Sequence, residues 1–190
     1  MRYEIGILGN GGQGILLMGT ILAEAIAVRD DIFIAQTRSY DTAVRGAKAQ
    51  SNLVISDEEI DYPGILGFDL LVLLAQQGSK ENIERLKPQA LLVVDSELVR
   101  EVIWSRILKI PFTRIARERF NDEMAANMIA LGALTELCEY VPSSAVEASI
   151  SSSFKGDMLA TNLSSFREGI EIAKAQKSGF ETVEDEDTKI

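Results

Sequence analysis

Apolar positions fall along the chain in two kinds of run, and their alternation predicts the architecture. Ile5, Ile7 and Leu8 form a short apolar stretch ending at Gly9, and beyond Gly14 the positions Ile15, Met18, Leu22, Ala25 and Ile26 recur at helical spacing. The opening therefore reads as strand, glycine turn, helix. Ile32 to Gln36 predicts a second strand, Thr37 to Gly46 an ordered polar loop, and Leu53-Val54-Ile55 a third strand closed by Ser56-Asp57-Glu58-Glu59. Past Tyr62-Pro63-Gly64, the unbroken apolar runs in Asp69 to Leu74 and Ala90 to Val94 predict strands covered on both faces. Lys80 to Leu86 predicts a short helix between them, and Arg106 to Ile110, before Pro111, a further strand.

The last third reads as helical. Glu123 to Cys138 is one long apolar helix, Ser144-Ala145-Val146-Glu147 has the form of a capping box opening a second, and Asn162 to Lys174 makes a third. The succession predicts an α/β fold, a Rossmann-like three-layer α/β/α arrangement with a mainly parallel sheet and a helical C-terminal third. Residues 1–177 form a single domain in this reading; residues 178–190, with Glu181, Glu184, Asp185, Glu186 and Asp187, are an acidic tail expected to be disordered.

Composition narrows the chemistry. With 190 residues, 46% of them apolar, the chain can bury a substantial core. The 29 acidic against 19 basic residues give a net charge of -10, which argues against nucleic acid and anionic membrane surfaces as partners. The absence of histidine excludes Ser-His triads, histidine bases and histidine-ligated metal. A lone cysteine, Cys138, in the helical setting Leu134 to Cys138, reads as a core residue and cannot supply the thiolates of a cluster or structural zinc. Glu4 and the glycines break up any export signal, and no apolar run reaches the ~18 residues that span a bilayer. The expected location is the cytoplasm.

The opening stretch YEIGILGNGGQGILL carries the one candidate site. Gly9, Gly11 and Gly14 satisfy G-x-G-x-x-G between a strand and a helix: Gly9 for a tight turn, Gly11 for close approach of a phosphate, Gly14 for helix–strand packing. The helix start then offers free N–H groups to an anion. The ribose-binding acid that completes a dinucleotide fingerprint is missing, because Gln36, Thr37 and Arg38 stand at the end of the second strand. Lys and Ser or Thr are missing where a nucleotide P-loop needs them. A dinucleotide, another phosphate-bearing ligand and a purely structural turn all stay open.

Further motifs give the chain a resemblance. Gly11-Gly12-Gln13-Gly14, the segment Ser39-Tyr40-Asp41-Thr42-Ala43-Val44-Arg45-Gly46-Ala47, the stretch Val54 to Pro63, the helix Ala126 to Leu134, and Asn162-Leu163 with Phe166 and Gly169 occur in order over residues 1–175. Together they resemble the gamma-type chains of the 2-oxoacid:ferredoxin oxidoreductases, and the wording of Gln36 to Tyr40 and Ile55 to Pro63 is most similar to the 2-oxoglutarate type. Asp41 and Ala47 depart from the pattern, each standing where the family has glycine.

The resemblance implies a subunit that holds no cofactor alone. Thiamine diphosphate, Mg2+ and the iron–sulfur clusters would lie in alpha and beta partner chains, with a ferredoxin-like delta chain in some assemblies. The complex would convert a 2-oxoacid, coenzyme A and oxidised ferredoxin to acyl-CoA, CO2 and reduced ferredoxin. It implies a coenzyme A contact at Gly9, Asn10, Gly11, Gly12, Gln13 and Gly14, with Ser39, Tyr40 and Arg45 beside them. Coenzyme A has no free 2′,3′-diol, which reconciles the glycines with the missing acid.

Single residues keep plainer readings beside this. Arg45 clamps an anion or pairs with a partner's acid, Gln13 touches ligand or only the turn's backbone, and Asp95 caps the element after its strand. Asn127 reads as a buried hydrogen-bonding residue and Gly132 as a close helix contact. A stand-alone dinucleotide-binding protein and a non-catalytic scaffold are the alternatives, and whether the isolated chain forms a homodimer stays open.

Overall fold

Six strands form one sheet in the order β2-β3-β1-β4-β5-β6, from β1 (Arg2–Asn10), β2 (Phe33–Tyr40), β3 (Lys48–Ser56), β4 (Phe68–Leu73), β5 (Leu86–Asp95) and β6 (Ile107–Ile110). The computed structural model describes the backbone of residues 1–40 and 47–187, and side chains through residue 177. β1, β4, β5 and β6 pair in parallel, whereas β3 is antiparallel to both β1 and β2. β2 therefore runs with β1, and five of the six strands share a direction. Leu70 to Leu73 are fully buried, as a strand with both faces covered requires.

The two faces are covered unequally. Ile5, Ile7, Leu53, Ile55, Leu70, Val72, Val93 and Leu108 point to a large cluster with α1 (Ile15–Ile26), α4 (Ala126–Leu137), α5 (Ser143–Ser153) and α6 (Gly156–Asp187). Leu8, Val54, Leu71, Leu73, Leu92 and Val94 point the other way, to a smaller cluster closed by Ile65, Phe68 and Val99, with Ile83 of α2 (Ser79–Ile83) and Trp104 at its margin. Loops and one short helix make up that third layer.

α4 and α6 cross at two glycines. A Cβ on Gly132 would lie 1.9 Å from the Phe166 carbonyl oxygen, and one on Gly169 1.9 Å from that of Ile129, so the close-contact reading of Gly132 holds. Opposite, a buried carboxylate organises the loops. Glu4 accepts Nε of Arg2 at 2.5 Å and the amides of Leu66 and Gly67 at 2.9 and 2.7 Å, while Arg2 donates on to the Tyr62 and Gly64 carbonyls.

Several elements differ from the sequence-based expectation. β2 continues to Tyr40 where a loop was expected from Thr37, because Ala49 to Asn52 of β3 supply the ladder for four polar residues. The long helix opens as a 3-10 turn (Glu123–Ala125) capped by Asp122, whose side chain accepts from the Met124 amide. The capping box at Ser144 does not form: α5 starts at Ser143 behind Pro142 with no side-chain cap, and Glu147 turns to Arg167 of α6 at 2.8 and 3.0 Å. α3 (Phe112–Ile115) and a π-helical turn (Ala116–Phe120) carried no recognised signal. α6 begins before Asn162 and reaches Asp187, so its bounds take in much of the expected disordered tail, whose side chains and last residues lie outside the described residues.

Candidate ligand site at the glycine turn

The turn between β1 and α1 is built from its own backbone and one amide side chain. Gly12 and Gly14 adopt left-handed φ values of 90° and 77°, which glycine reaches without steric cost. Gln13 donates to the Leu74 carbonyl at 3.0 Å and accepts from the Asn10 amide at 2.5 Å, tying the end of β1 to the end of β4. Its amide thus serves the turn's backbone, and its side chain also lines a hollow beside the turn.

The glycine roles redistribute. Gly9 lies within β1 and serves close packing, since a Cβ there would stand 2.5 Å from Ile15 and 2.6 Å from the Gln13 oxygen. The Gly11 amide is already engaged by the Ala47 carbonyl at 2.7 Å. Gly12 is the open position, with nothing among the described residues within 4 Å of a Cβ. Gly14 caps α1 without a side-chain hydrogen bond, and a Cβ there would strike Nδ2 of Asn127 at 2.2 Å. A turn of this form, an open glycine ahead of an uncapped helix start, suits an anion.

Hollows flank the turn on both sides. The inner one, about 250 Å³, lies over the carboxyl ends of β1, β4 and β5 and is bounded by Asn10, Gln13, Asp95, Thr113, Met124 and Asn127. The outer one, about 350 Å³, is mostly apolar and runs from Gly11, Gly12 and Gly14 past Leu16 and Leu17 to Tyr40. Of the expected site residues, Gly11, Gly12, Gly14, Asn10 and Tyr40 meet here. Ser39 does not, because successive strand residues face opposite ways and Ser39 points to the other face of the sheet. Arg45 and Asp41 lie outside the described residues.

Asn127 differs from expectation in what it does. It is 6% exposed, yet among the described residues its amide makes no hydrogen bond; it borders the inner hollow directly above Gly14. That amide is reachable from the hollow, whereas Asn10 Oδ1 at the end of β1, on the same hollow, is buried with no partner among the described residues; an orphaned buried oxygen costs about 1–3 kcal/mol, which is sustained where something else uses it. The position of Asn127 on an otherwise apolar helix was the visible signal; its orientation was not.

The charges around the inner hollow are committed to protein partners. Asp95, fully buried, accepts from the Glu97 amide at 2.9 Å and from the amide and hydroxyl of Thr113 at 2.8 and 2.6 Å, so it caps the turn after β5 and the start of α3 as expected. Arg117 holds Glu97 at 2.6 Å and Glu123 at 2.9 Å. On the outer side Arg38 bonds Thr20 and Gln36, and no carboxylate among the described residues neutralises it. Cys138 is buried, and burial pushes its thiol up to about 12, which leaves no thiolate for nucleophilic chemistry near neutral pH. Among the described residues no group of three or more Cys, Asp or Glu side chains could hold a metal ion, and no helix is long and apolar enough to cross a membrane.

The missing ribose acid has a structural reason. In a dinucleotide fold the acid ends the strand that lies beside β1 and parallel to it. Here β3 occupies that place, antiparallel, and presents Lys48 opposite Asn10.

The family model for pyruvate ferredoxin/flavodoxin oxidoreductase matches residues 4–172. This chain belongs to that family. Among family members, the 2-oxoglutarate synthase subunit KorC of Methanocaldococcus jannaschii is 40% identical over 178 residues, covering 92% of this chain and 95% of the relative. The keto/oxoacid ferredoxin oxidoreductase gamma subunit of Geobacter sulfurreducens superposes with a TM-score of 0.78 at 31% identity, covering 91% of this chain and 99% of that one. The 2-oxoglutarate:ferredoxin oxidoreductase of Magnetococcus marinus, solved with 2-oxoglutarate, coenzyme A and succinyl-CoA, superposes with a TM-score of 0.81 at 26% identity over 92% of this chain and 31% of that longer one. The resemblance read from the motifs is thus a family membership, and the six-stranded sheet with C-terminal helices is the family's fold.

Proposed function

We propose that this chain is the gamma-type subunit of a 2-oxoglutarate:ferredoxin oxidoreductase and that its glycine turn receives part of coenzyme A. The near full-length similarity to KorC supports the substrate, since that relative is a 2-oxoglutarate synthase subunit. The observation that carries the ligand is a pair of unbonded amide groups on the inner hollow: Asn10 Oδ1, buried with no partner among the described residues, and Asn127 directly over Gly14. A phosphate group approaches at Gly12, where no atom of the described residues obstructs it, and meets the uncapped start of α1. Gly9 and Gln13 shape the turn, Asn10 and Tyr40 flank it, and Arg45 is the further anion-binding residue assigned by the motif.

Thiamine diphosphate, Mg2+ and the iron–sulfur clusters belong to alpha and beta chains in this reading, with a ferredoxin-like delta chain where present. The complex works in the cytoplasm and oxidatively decarboxylates the 2-oxoacid to its acyl-CoA. Ferredoxin accepts the electrons. A dinucleotide fits less well, because Lys48 stands where the ribose acid belongs.

The test is reconstitution. Purified with partner chains encoded beside it, the complex reduces ferredoxin with 2-oxoglutarate and coenzyme A, and omitting this chain abolishes turnover. Coenzyme A titrated into the complex binds, and Asn127→Ala weakens that binding at least tenfold while NAD shows none. Tight NAD binding, or turnover undiminished without this chain, would refute the reading.

A further inference from the structure

The sheet has two edges, and they are treated differently. β6 is four residues long, carries an exposed Lys109 and runs directly into Pro111. Short length, lysine and proline are the usual protections against unwanted strand pairing. β2, at the opposite edge, has eight residues in unbroken register with β3, no proline, no lysine and no bulge. Its single charge, Arg38, is drawn inward to Thr20 of α1 and Gln36. Phe33 and Tyr40 at its ends are 49% and 70% exposed.

We propose that the β2 edge is a docking surface for a second copy of this chain, paired antiparallel about a two-fold axis at Thr37. A two-fold axis normal to the sheet keeps each face on its own side, so opposed residue numbers must add to an even sum. Centring on Thr37 sets Ile34 against Tyr40, Ala35 against Ser39, and Gln36 against Arg38. This register joins an aliphatic with an aromatic side chain on the helix-bearing face, a favourable cross-strand pair. It also gives each Arg38 an amide acceptor of the kind it already uses within its own strand. Centring one residue earlier opposes Arg38 to Ile34, and one later opposes Arg38 to itself. Self-complementarity at a single register favours a second copy over an unrelated strand. Thr37 points to the thinly covered face, away from the side of the sheet that carries α1, α4, α5 and α6.

Sedimentation of the purified full chain at micromolar concentration tests this, together with three variants. The wild type sediments as a dimer, and Thr37→Lys, which opposes two ammonium groups across the axis, weakens the dimer at least tenfold. Thr37→Cys forms an interchain disulfide on mild oxidation, since opposed residues stand at ~4.5–5.5 Å between Cα atoms, within disulfide reach. Ser39→Cys, facing Ala35 in this register, does not, and buried Cys138 gives no background. Circular dichroism of each variant checks that it is folded. A monomeric wild type, equal cross-linking of both cysteine variants, or a dimer indifferent to Thr37→Lys overturns the proposal. So does a chain that is monomeric alone while Thr37→Lys prevents assembly with the catalytic chains, because the edge would then belong to a different partner. None of these outcomes depends on coenzyme A binding, so the functional reading stands or falls separately.

Discussion

The two faces of the sheet meet the same demand by different means. On one, four helices bury their side chains in a single cluster, and the tightest contact is backbone on backbone where Gly132 and Gly169 let α4 and α6 meet. On the other, loops do the covering, and loops bring polar backbone that must be hydrogen-bonded inside. A buried carboxylate does that work: Glu4 accepts the amides of Leu66 and Gly67 and holds Arg2, which in turn bonds the Tyr62 and Gly64 carbonyls. One face depends on the absence of atoms, the other on the presence of charge. Substitutions should therefore fail differently on each.

The largest effect is expected on the helical face. Gly132→Val drives a side chain into the Phe166 carbonyl, and a backbone obstacle cannot be relieved by a rotamer change. A loss of about 3 kcal/mol or more in urea denaturation, or failure to fold, is expected for the whole domain. Next, Glu4→Leu leaves the Leu66 and Gly67 amides and the Arg2 guanidinium without their shared acceptor. The cost is about 2–4 kcal/mol. Hydrogen exchange should show amide protection lost first in residues 57–67 while α4 and α6 stay protected.

A pH measurement isolates the helical face chemically. Burial holds the Cys138 thiol near 12 against an ordinary 9.0. Between those values the unfolded chain has released a proton that the folded chain keeps, so stability falls as pH rises above about 9, by about 1.4 kcal/mol per pH unit from this thiol. The difference between wild type and Cys138→Ala in urea midpoint against pH should show that slope. Asn127→Leu is expected to leave stability nearly unchanged, because the amide it removes is reachable from the hollow, while weakening coenzyme A in the complex. The smallest effect belongs to Glu147. Hydrogen bonding to Arg167 holds its carboxyl below the usual range, so the pair's contribution is present at neutral pH and lost as pH falls through that lowered value. Both groups are partly exposed, and Glu147→Gln should shift the thermal midpoint barely at all.

How much of this was readable in advance follows from what is local. The β1 to α1 turn was legible because glycine spacing and apolar periodicity are local properties, and the apolar runs of β4 and β5 announced burial on both faces. The insertion of β3 between β1 and β2 was not legible, since strand order depends on pairing between distant segments. For the same reason Thr37 to Tyr40 looked like a loop until β3 supplied a partner. The capping box at Ser144 misled because the S-x-x-E pattern is local while Arg167, which takes Glu147, comes from another helix. At the site, residue types could be chosen from the motif, but not which glycine takes which role. That the Gly11 amide is already used by Ala47, and that Asn127 hangs unbonded over Gly14, are facts of tertiary placement.

The Gln13 bridge gives the turn its final consequence. Because one side chain fastens the ends of β1 and β4, the loop is set when the domain folds and does not wait for an incoming molecule. Little ordering entropy is then left to spend on association, so binding here should be fast and leave the surrounding backbone in place.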